Sequence, residues 1–411
     1  MKFTNMQMSQ VRLIAVLGAL SAFGPVTTDL YLPALPQAAH TLGVTTSGIQ
    51  SSLTACLLGL AIGQLLIGPM SDAWGRRRPM LAGMAVFTVA SLLCAVAGNV
   101  LVLDLLRLFQ GLAGAAGIVI SFAVIRDLYE GTAASKAYSF LLAVNGIAPI
   151  LAPVIGAQLL RVMNWRGLFV VLAGLGLIFL ALAYLWVPET LAPQRRHGGG
   201  AAAVWAGLRA AVTDRRFVGY VLVVALSFAA MVAYISASSF VFQQVYGVSP
   251  QLFSVFFALN GAGILLANGI NVRLLNRRSP RLLLDAGLWG LGLGAVTVLV
   301  VVSLPGLSVW WLVPPLWVMV SSLGFVLPNA TALALDEHGD SAGSAAAILG
   351  CQQFLAGAIV APLVGVGGTS AIPMGIVAAA ASALAIVARL TLARSPRPAA
   401  VADDSLAQWI N

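Results

Sequence analysis

The stretch Gly68-Pro69-Met70-Ser71-Asp72-Ala73-Trp74-Gly75-Arg76-Arg77-Arg78-Pro79 lies between two long apolar runs, at residues 48–70 and 80–98. A helix that crosses a bilayer needs about 20 apolar residues. The stretch therefore predicts a tight hairpin between two transmembrane helices. Because short cytoplasmic loops carry an excess of Lys and Arg, the three arginines place this hairpin on the cytoplasmic side.

The composition extends this interpretation to the whole chain. Of the 411 residues, 60% are hydrophobic and 9% are charged, and the mean hydropathy is +0.97. A soluble domain has about 25% charged residues, so the chain is predicted to be a polytopic membrane protein. The formal charge of +9 is spread over short loops, which indicates membrane topology and not a nucleic acid partner.

Twelve apolar runs predict an all-α membrane protein with twelve transmembrane helices, numbered here as spans 1 to 12 in chain order. The runs are 11–33, 48–70, 80–98, 100–123, 137–160, 167–187, 217–240, 251–270, 282–304, 309–334, 343–365 and 371–392.

The basic residues set the predicted orientation. All but three of the 22 Lys and Arg residues fall on the face that carries the first hairpin. Of the three exceptions, Arg161 and Arg166 lie on the other face and Arg107 lies within span 4. The sequence therefore predicts that both termini are cytoplasmic.

The longest hydrophilic segment divides the chain into two halves of six spans. The predicted divisions are an N-terminal half at 1–187, a cytoplasmic linker at 188–216, a C-terminal half at 217–393 and a cytoplasmic tail at 394–411. A degenerate copy of the first hairpin follows about 200 residues later, with a glycine, a double arginine and a proline at matching offsets in residues 269–280. Such a degenerate copy is what a duplication of a six-helix half would leave behind.

Several segments resemble motifs of the major facilitator superfamily. The first hairpin resembles motif A, G-x-x-x-D-x-x-G-R-R/K, which is filled by Gly68, Asp72, Gly75, Arg76 and Arg77. Arg107-Leu108-Phe109-Gln110-Gly111 in span 4 resembles motif B, R-x-x-Q-G. The segment 148–157 in span 5 resembles antiporter motif C through Pro149, Pro153 and Gly156, although alanines replace two of its glycines.

The end of span 1 resembles one subfamily of these transporters. Asp29-Leu30-Tyr31-Leu32-Pro33-Ala34-Leu35-Pro36 is similar to the D-x-Y-L-P-x-x-P signature of the Bcr/CflA drug-resistance transporters, which include phenicol and bicyclomycin exporters. The resemblance covers about residues 11–392. It implies a proton-coupled antiporter that exports small amphiphilic drugs by alternating access.

Asp29 is the predicted proton carrier. Of the 13 acidic residues, only Asp29 and Asp104 lie within predicted spans away from the cytoplasmic ends. Because an ionised carboxylate inside a bilayer costs a few kcal/mol, Asp29 can be neutral in one state and charged in another. The alternative is that Asp29 caps span 1 in interfacial water.

Arg107 is predicted to couple to this proton. An arginine at its depth in a span needs a partner, so Arg107 is expected to hold the end of span 1 and to sense the charge on Asp29. Asp104, three residues earlier, is the second candidate partner. The alternative is a structural donor to main-chain carbonyls of span 1.

The hairpin is predicted to form a conformational latch of Gly68, Asp72, Gly75, Arg76, Arg77 and Asp127. Arg76 or Arg77 is expected to pair with Asp127, and Asp72 to cap the N-terminus of span 11 near Ser341–Ser344. Such contacts would hold the cytoplasmic side closed. The alternative is that these charges only set topology.

The substrate cavity is predicted to lie between the halves near the bilayer midplane. Its predicted polar lining is Tyr31, Tyr138, Asn145, Tyr234, Asn260, Asn329 and Gln352. Few charges and many small polar groups indicate a neutral or weakly charged substrate. In span 5, Pro149, Pro153 and Gly156 are predicted to allow bending or close packing at a rocking interface.

Three functions are distinguished at this point. The first is drug export driven by the proton gradient, with a small-molecule drug, protons and the lipid bilayer as partners, no cofactor, no metal and a monomeric chain. The second is export of a natural metabolite, with drug export incidental. The third, a membrane enzyme or receptor, is disfavoured because the sequence shows no metal cluster, phosphate loop or pairing of a nucleophile with a base.

Overall fold

The computed structural model describes residues 2–196, 214–336, 342–366, 368 and 370–393, which are helical and contain no β-strand. Span 1 consists of the pieces Lys2–Ser21, Phe23–Asp29, Leu32–Ala34 and Leu35–Leu42. Spans 2 to 6 are Thr46–Trp74, Arg77–Ala95, Val100–Leu128, Gly131–Leu159 and Trp165–Trp186. Spans 7 to 12 are Arg215–Phe240, Pro250–Leu274, Pro280–Ser303, Val309–Asp336, Ala342–Leu363 and Ile372–Thr391.

Eleven of the described helices are long and apolar enough to cross a membrane by length and composition. The remaining span, span 11, contains a shorter apolar part at Ile348–Leu363. The predicted all-α fold with twelve transmembrane helices is confirmed.

Span 1 extends beyond its predicted end at residue 33. It continues to Leu42 and ends at Gly43, which has a φ of 64°. Pro33 and Pro36 do not stop the chain, because each lies in the first turn of a new helical piece, where a missing N–H removes no hydrogen bond. The predicted end at residue 33 was therefore too early.

The first hairpin is tighter than its apolar pattern indicates. Span 2 runs to Trp74 and span 3 begins at Arg77, so only Gly75 and Arg76 connect them. We call this end of the helix bundle the Arg76 end. The opposite end, where spans 3 and 4 meet at Asn99, is the Asn99 end.

The described helices pack in two groups that meet along two lines. In the first group, span 4 contacts spans 2 and 3, and span 3 also contacts span 6. In the second group, span 10 contacts spans 8 and 9, and span 12 contacts spans 7 and 9. Span 2 against span 11, and span 5 against span 8, join the two groups. The boundary between the groups therefore runs through the centre of the bundle.

The predicted divisions at 187, 216 and 393 stay predictions. The residues 197–213 of the linker and the whole tail from 394 lie outside the described residues.

Candidate functional site

A cavity of about 280 Å³ lies between the two groups of helices. Spans 1, 2 and 5 line one side and spans 7, 8, 10 and 11 line the other. Four predicted residues lie on its wall, namely Asp29, Pro149, Tyr234 and Asn260. Most of the remaining wall is apolar, including Leu53, Leu57, Ile150, Phe228, Val232 and Phe354.

Asp29 is buried, with 5% of its surface exposed. Its carboxylate accepts a hydrogen bond from the Thr28 hydroxyl at 3.0 Å. No ion pair reaches it from any residue that the structure describes. Among the described residues on the cavity wall, Asp29 is the one that can ionise to a carboxylate. An unpaired carboxylate among apolar side chains is costly when charged. The free energy of this conformation therefore depends on whether Asp29 carries a proton.

Tyr234 and Asn260 form a polar pair in the wall contributed by the second group. Asn260 Nδ2 donates to the Tyr234 hydroxyl oxygen at 2.8 Å. The Tyr234 ring stacks on Phe257 with 5.6 Å between ring centroids. The carbonyl oxygen of the Asn260 side chain is buried and accepts no hydrogen bond from any residue that the structure describes. The pair therefore leaves a free acceptor in a largely apolar wall.

Arg107 is fully buried and does not touch Asp29. Its Nη1 donates to the Thr27 carbonyl at 3.1 Å and to Gln110 Oε1 at 2.6 Å, and its Nε donates to the Ser52 carbonyl at 3.4 Å. The guanidinium also lies 5.6 Å from the centroid of the Tyr31 ring, a favourable cation–π geometry. Carbonyls and aromatic faces thus compensate its charge where a carboxylate was expected.

The proposed alternative partner of Arg107 is engaged elsewhere. Asp104 accepts a hydrogen bond from Ser51 at 2.6 Å, and no ion pair joins it to Arg107 in the part of the chain that the structure describes. The contact to Thr27 is the structural role that the sequence left open. The sensing of Asp29 by Arg107 stays a prediction, with the Thr27 main chain as the nearest link.

Tyr31 does not reach the cavity, although it is two residues from Asp29. It is fully buried against the rings of Phe169 and Trp165, at 5.0 and 6.5 Å between centroids. The helix that carries Asp29 ends at this residue. The side-chain direction of Tyr31 therefore cannot be inferred from its helical spacing to Asp29.

The other predicted lining residues also lie off the cavity wall and bond within their own group of helices. Their partners are the Phe122 carbonyl for Tyr138, Ser21 and the Leu141 carbonyl for Asn145, Asn271 and the Phe325 carbonyl for Asn329, and the Leu349 carbonyl for Gln352. Apolar residues cover both the lipid and the core faces of a membrane helix, so hydropathy alone did not set the rotation of these helices.

Two residues of the antiporter motif in span 5 have different surroundings. Pro149 lines the cavity. Gly156 packs against span 1, where a Cβ would collide with the Leu30 carbonyl oxygen. The glycine therefore allows close contact of spans 1 and 5 within the first group. The predicted rocking role of Pro149, Pro153 and Gly156 stays a prediction.

At the Arg76 end, Arg76 is buried among oxygen acceptors. Its Nε and Nη2 bind both oxygens of Asp127, at 2.8 and 3.4 Å, and its Nη1 binds Asp72 at 2.5 Å and Ser71 at 2.7 Å. The predicted pair with Asp127 is thus present and is formed by Arg76. Burial alone would lower the pKa of Arg76, but Asp127 and Asp72 outweigh burial and raise it, so Arg76 stays charged.

Glu189 completes this cluster, and the sequence analysis did not single it out. Its carboxylate accepts from the main-chain N–H of Arg76 at 2.8 Å, of Arg77 at 3.3 Å and of Leu191 at 3.0 Å. Glu189 therefore caps the start of span 3. The signal in the sequence is Pro188-Glu189-Thr190 directly after span 6, since Thr190 also donates to Asp127 at 3.0 Å.

Gly75 makes room for this cap. Its φ is 86°, a conformation that favours glycine, and a Cβ at this position would collide with the Glu189 carboxylate. Arg77, next to the cap, donates to the Tyr184 carbonyl at 2.7 Å in span 6. The hairpin is thus fixed to the segment that follows span 6.

All the contacts described here for the latch residues lie within the first group of helices. The predicted cap of span 11 near Ser341–Ser344 is not tested, because Ser341 and the side chain of Ser344 lie outside what the structure describes. The closure of the Arg76 end by the latch therefore stays a prediction.

At the Asn99 end, three glutamines cross the boundary between the two groups. In each case a side-chain amide donates to a main-chain carbonyl of the other group. The pairs are Gln50 with Ser236 at 2.9 Å, Gln243 with Pro33 at 3.1 Å and Gln251 with Ala157 at 3.0 Å. These contacts join the two groups of helices at the Asn99 end.

We expect the double variant Gln243→Ala with Gln251→Ala to open the Asn99 end more often. Each hydrogen bond contributes about 0.5–1.5 kcal/mol, so loss of two should raise the open population several-fold. The measurement is the rate of labelling of a cysteine placed at Leu53, from the Asn99 side, in a background without the three native cysteines. Gln37→Ala is the control, because Gln37 bonds to Trp165 within the first group. Equal labelling in the double variant and in the control would contradict a gating role.

We expect the contribution of Glu189 to stability to depend on pH. Its partial burial would raise the pKa, but main-chain donors and Arg196 outweigh burial and hold the pKa below its usual value of 4.5. The charged form thus stabilises the fold above pH 4.5, and this stabilisation is lost as the pH falls through the lowered pKa. Glu189→Gln should lower the melting temperature in detergent at neutral pH, and the difference should shrink in acid. Glu130→Gln at the same end is the control, since the Glu130 side chain makes no cap. A pH-independent difference would contradict the charged cap.

The central cavity between two groups of membrane-spanning helices defines a membrane transporter. The chain belongs to the Major Facilitator Superfamily, which it matches over residues 15–362. It is 37% identical over 368 residues to the Uncharacterized MFS-type transporter YdgK of Bacillus subtilis, covering 89% of this chain and 91% of that protein. The chain is thus a transporter and not an enzyme.

Two further relatives are named for drug resistance. The chain is 30% identical to the Bicyclomycin resistance protein homolog of Haemophilus influenzae, covering 88% of this chain and 90% of the relative. It is also 30% identical to the Chloramphenicol resistance protein of Pseudomonas aeruginosa, covering 82% and 80%. The resemblance to the drug-resistance transporters of this superfamily is confirmed.

The fold is shared with solved transporters. The inward open conformation of the xylose transporter XylE from E. coli superposes with a TM-score of 0.70, at 17% identity, over 95% of this chain and 97% of that one.

Proposed function

We propose that the chain is a proton-coupled antiporter that exports small amphiphilic drugs of the phenicol or bicyclomycin kind by alternating access. The observation that carries the proposal is the position of Asp29 as a buried, unpaired carboxylate on the wall of the cavity between the two groups of helices. The relatives named for bicyclomycin and chloramphenicol resistance support the drug class.

Proton and drug exchange follows from the cost of a charge in this wall. An ionised Asp29 is unfavourable among apolar side chains unless a proton or a polar group of a substrate compensates it. A drug in the cavity and a proton on Asp29 would therefore compete for the same site. Proton entry from one side and drug entry from the other would give antiport.

The cavity indicates the kind of substrate. Its volume of about 280 Å³ is near the lower limit of ligand pockets, which is about 300 Å³, so it would accept one small molecule. The apolar walls would contact the body of the drug. The free acceptor on Asn260 and the hydroxyl of Tyr234 would bind its hydroxyl or amide groups.

The orientation is part of the proposal. The Arg76 end and both termini are cytoplasmic, because basic residues concentrate at that end. The bacterial relatives support a bacterial inner membrane. The three glutamine contacts would then close the cavity toward the periplasm. The proton gradient supplies the energy, so we propose no cofactor and a monomeric chain.

Export of a natural metabolite is the second candidate. The relative at 37% identity is not named for a drug, whereas the relatives named for drug resistance are 30% identical. A narrow substrate range would favour this candidate.

The test combines a resistance panel with a transport assay. The chain is expressed in a host that lacks its own efflux pumps, and growth is measured with phenicols, bicyclomycin and unrelated drugs. Inverted vesicles from the same cells are energised, and release of protons is followed after drug addition. Resistance with drug-induced proton release supports the proposal. Resistance without proton release would contradict proton coupling, and no resistance to any drug would favour the metabolite.

A further inference from the structure

A second, larger cavity of about 610 Å³ lies on the outside of the first group of helices, at the Arg76 end. We call it the outer groove. Ile67, Met70, Ala73 and Trp74 of span 2 form one wall and Pro79, Ala82 and Val86 of span 3 form the other. Leu112 and Ala113 of span 4 form the floor. Spans 2 and 3 each pack closely on span 4 but touch each other little, which leaves this groove open.

The outer groove faces the lipid and not the central cavity. Ala82 and Val86 are exposed on the outer face of span 3. From Arg78 to Val86 the groove extends over eight residues, or about 12 Å along the helix at 1.5 Å per residue. It therefore reaches from the membrane surface well into the hydrocarbon layer. The described residues that line the outer groove and those that line the central cavity do not overlap.

Two arginines lie at the mouth of this apolar groove. Arg78 is exposed and makes no hydrogen bond or ion pair with the described residues. Arg196 is partly buried: its Nε donates to the Leu191 carbonyl at 3.3 Å, and its Nη2 lies 3.8 Å from the Glu189 carboxylate, within ion-pair distance. Trp74 beside them is 58% exposed, as is typical of aromatic residues at the level of lipid headgroups. The described residues that line the groove include no acidic side chain, and the Glu189 carboxylate next to Arg196 already accepts three main-chain N–H groups.

We propose that the outer groove binds an anionic phospholipid, with its phosphate on Arg78 and Arg196 and one acyl chain along Ala82 and Val86. A basic mouth above an apolar channel between transmembrane helices matches the two parts of such a lipid. A soluble anion would gain nothing from the channel. A neutral drug would gain nothing from the two arginines.

The test measures binding of phosphatidylglycerol to the purified full chain, stripped of lipid in detergent, by native mass spectrometry. Because each basic residue near a membrane surface contributes about 1 kcal/mol of attraction, Arg78→Ala should lower the affinity about fivefold. Ala82→Phe should also lower it at least several-fold, since the ring fills the channel while both arginines remain. Arg277→Ala, in the equivalent hairpin of the second group, should change nothing.

Two further measurements distinguish a lipid from a soluble anion. Phosphatidylcholine should bind more weakly than phosphatidylglycerol, and inorganic phosphate should not displace phosphatidylglycerol. Binding that is lost with Arg78→Ala but kept with Ala82→Phe, or displacement by phosphate, would reduce the groove to a simple anion site and overturn the proposal. Absence of any bound phosphatidylglycerol would overturn it as well.

Discussion

Replacing Asp29 with asparagine is expected to abolish drug-induced proton release while the protein still folds. Asparagine has nearly the same shape and is neutral at every pH, so the cavity keeps its volume but cannot bind and release a proton. The wall would then resemble the protonated state permanently. The measurement is drug accumulation and proton release in inverted vesicles, where we expect the signal to fall to the background of empty vesicles.

Asp104→Asn is the matched control for this experiment. Asp104 is also a carboxylate within a span, but it binds Ser51 and does not line the cavity. Asp104→Asn should therefore retain drug-induced proton release. If Asp29→Asn transported and released protons like the unmodified chain, Asp29 would not be the carrier. If Asp104→Asn lost the signal instead, the coupling site would lie nearer the Asn99 end.

Replacing Arg76 with alanine is expected to destabilise the fold strongly. Arg76 is 2% exposed, and Asp127, with which it pairs, is 13% exposed. Removing one member of a buried ion pair leaves an uncompensated charge, which costs about 3–5 kcal/mol. The measurement is the yield of monodisperse protein and its melting temperature in detergent. We expect little folded protein to be recovered.

Two variants of the same loop separate charge from geometry. Arg76→Lys keeps the charge but cannot bind both oxygens of Asp127, so it should be intermediate in melting temperature. Arg78→Ala, two residues away, removes an exposed arginine without a partner and should leave the melting temperature in lipid-free detergent unchanged. Equal melting temperatures for Arg76→Ala and Arg78→Ala would show that the buried pair contributes no stability.

The sequence was sufficient for the features that depend on hydropathy and charge. The positions of the spans and the pair of Arg76 with Asp127 could be predicted, since both follow from local composition and from a short hairpin. The burial of Asp29 could also be predicted, because a carboxylate within a transmembrane helix is expected to face the protein interior and not the lipid.

The features that could not be predicted depend on contacts between distant parts of the chain. The cap by Glu189 joins two positions more than a hundred residues apart, and the three glutamines bond to carbonyls that any residue could provide. The rotation of each helix about its own axis could not be predicted from the sequence either, because apolar residues face both lipid and protein. Tyr31 and Asn329 were therefore assigned to a cavity that they do not line.

The cap at Glu189 has a consequence for how the chain is made. Span 3 leaves the ribosome long before residue 189 does, so its first turn remains without its carboxylate cap while spans 4, 5 and 6 are synthesised. The first hairpin gains the contacts of Glu189 and Thr190 only when Pro188-Glu189-Thr190 has emerged. A fragment that stops at residue 187 would lack the group that fixes its own first hairpin. The smallest autonomous first half therefore extends beyond the last residue of span 6 and includes the beginning of the linker.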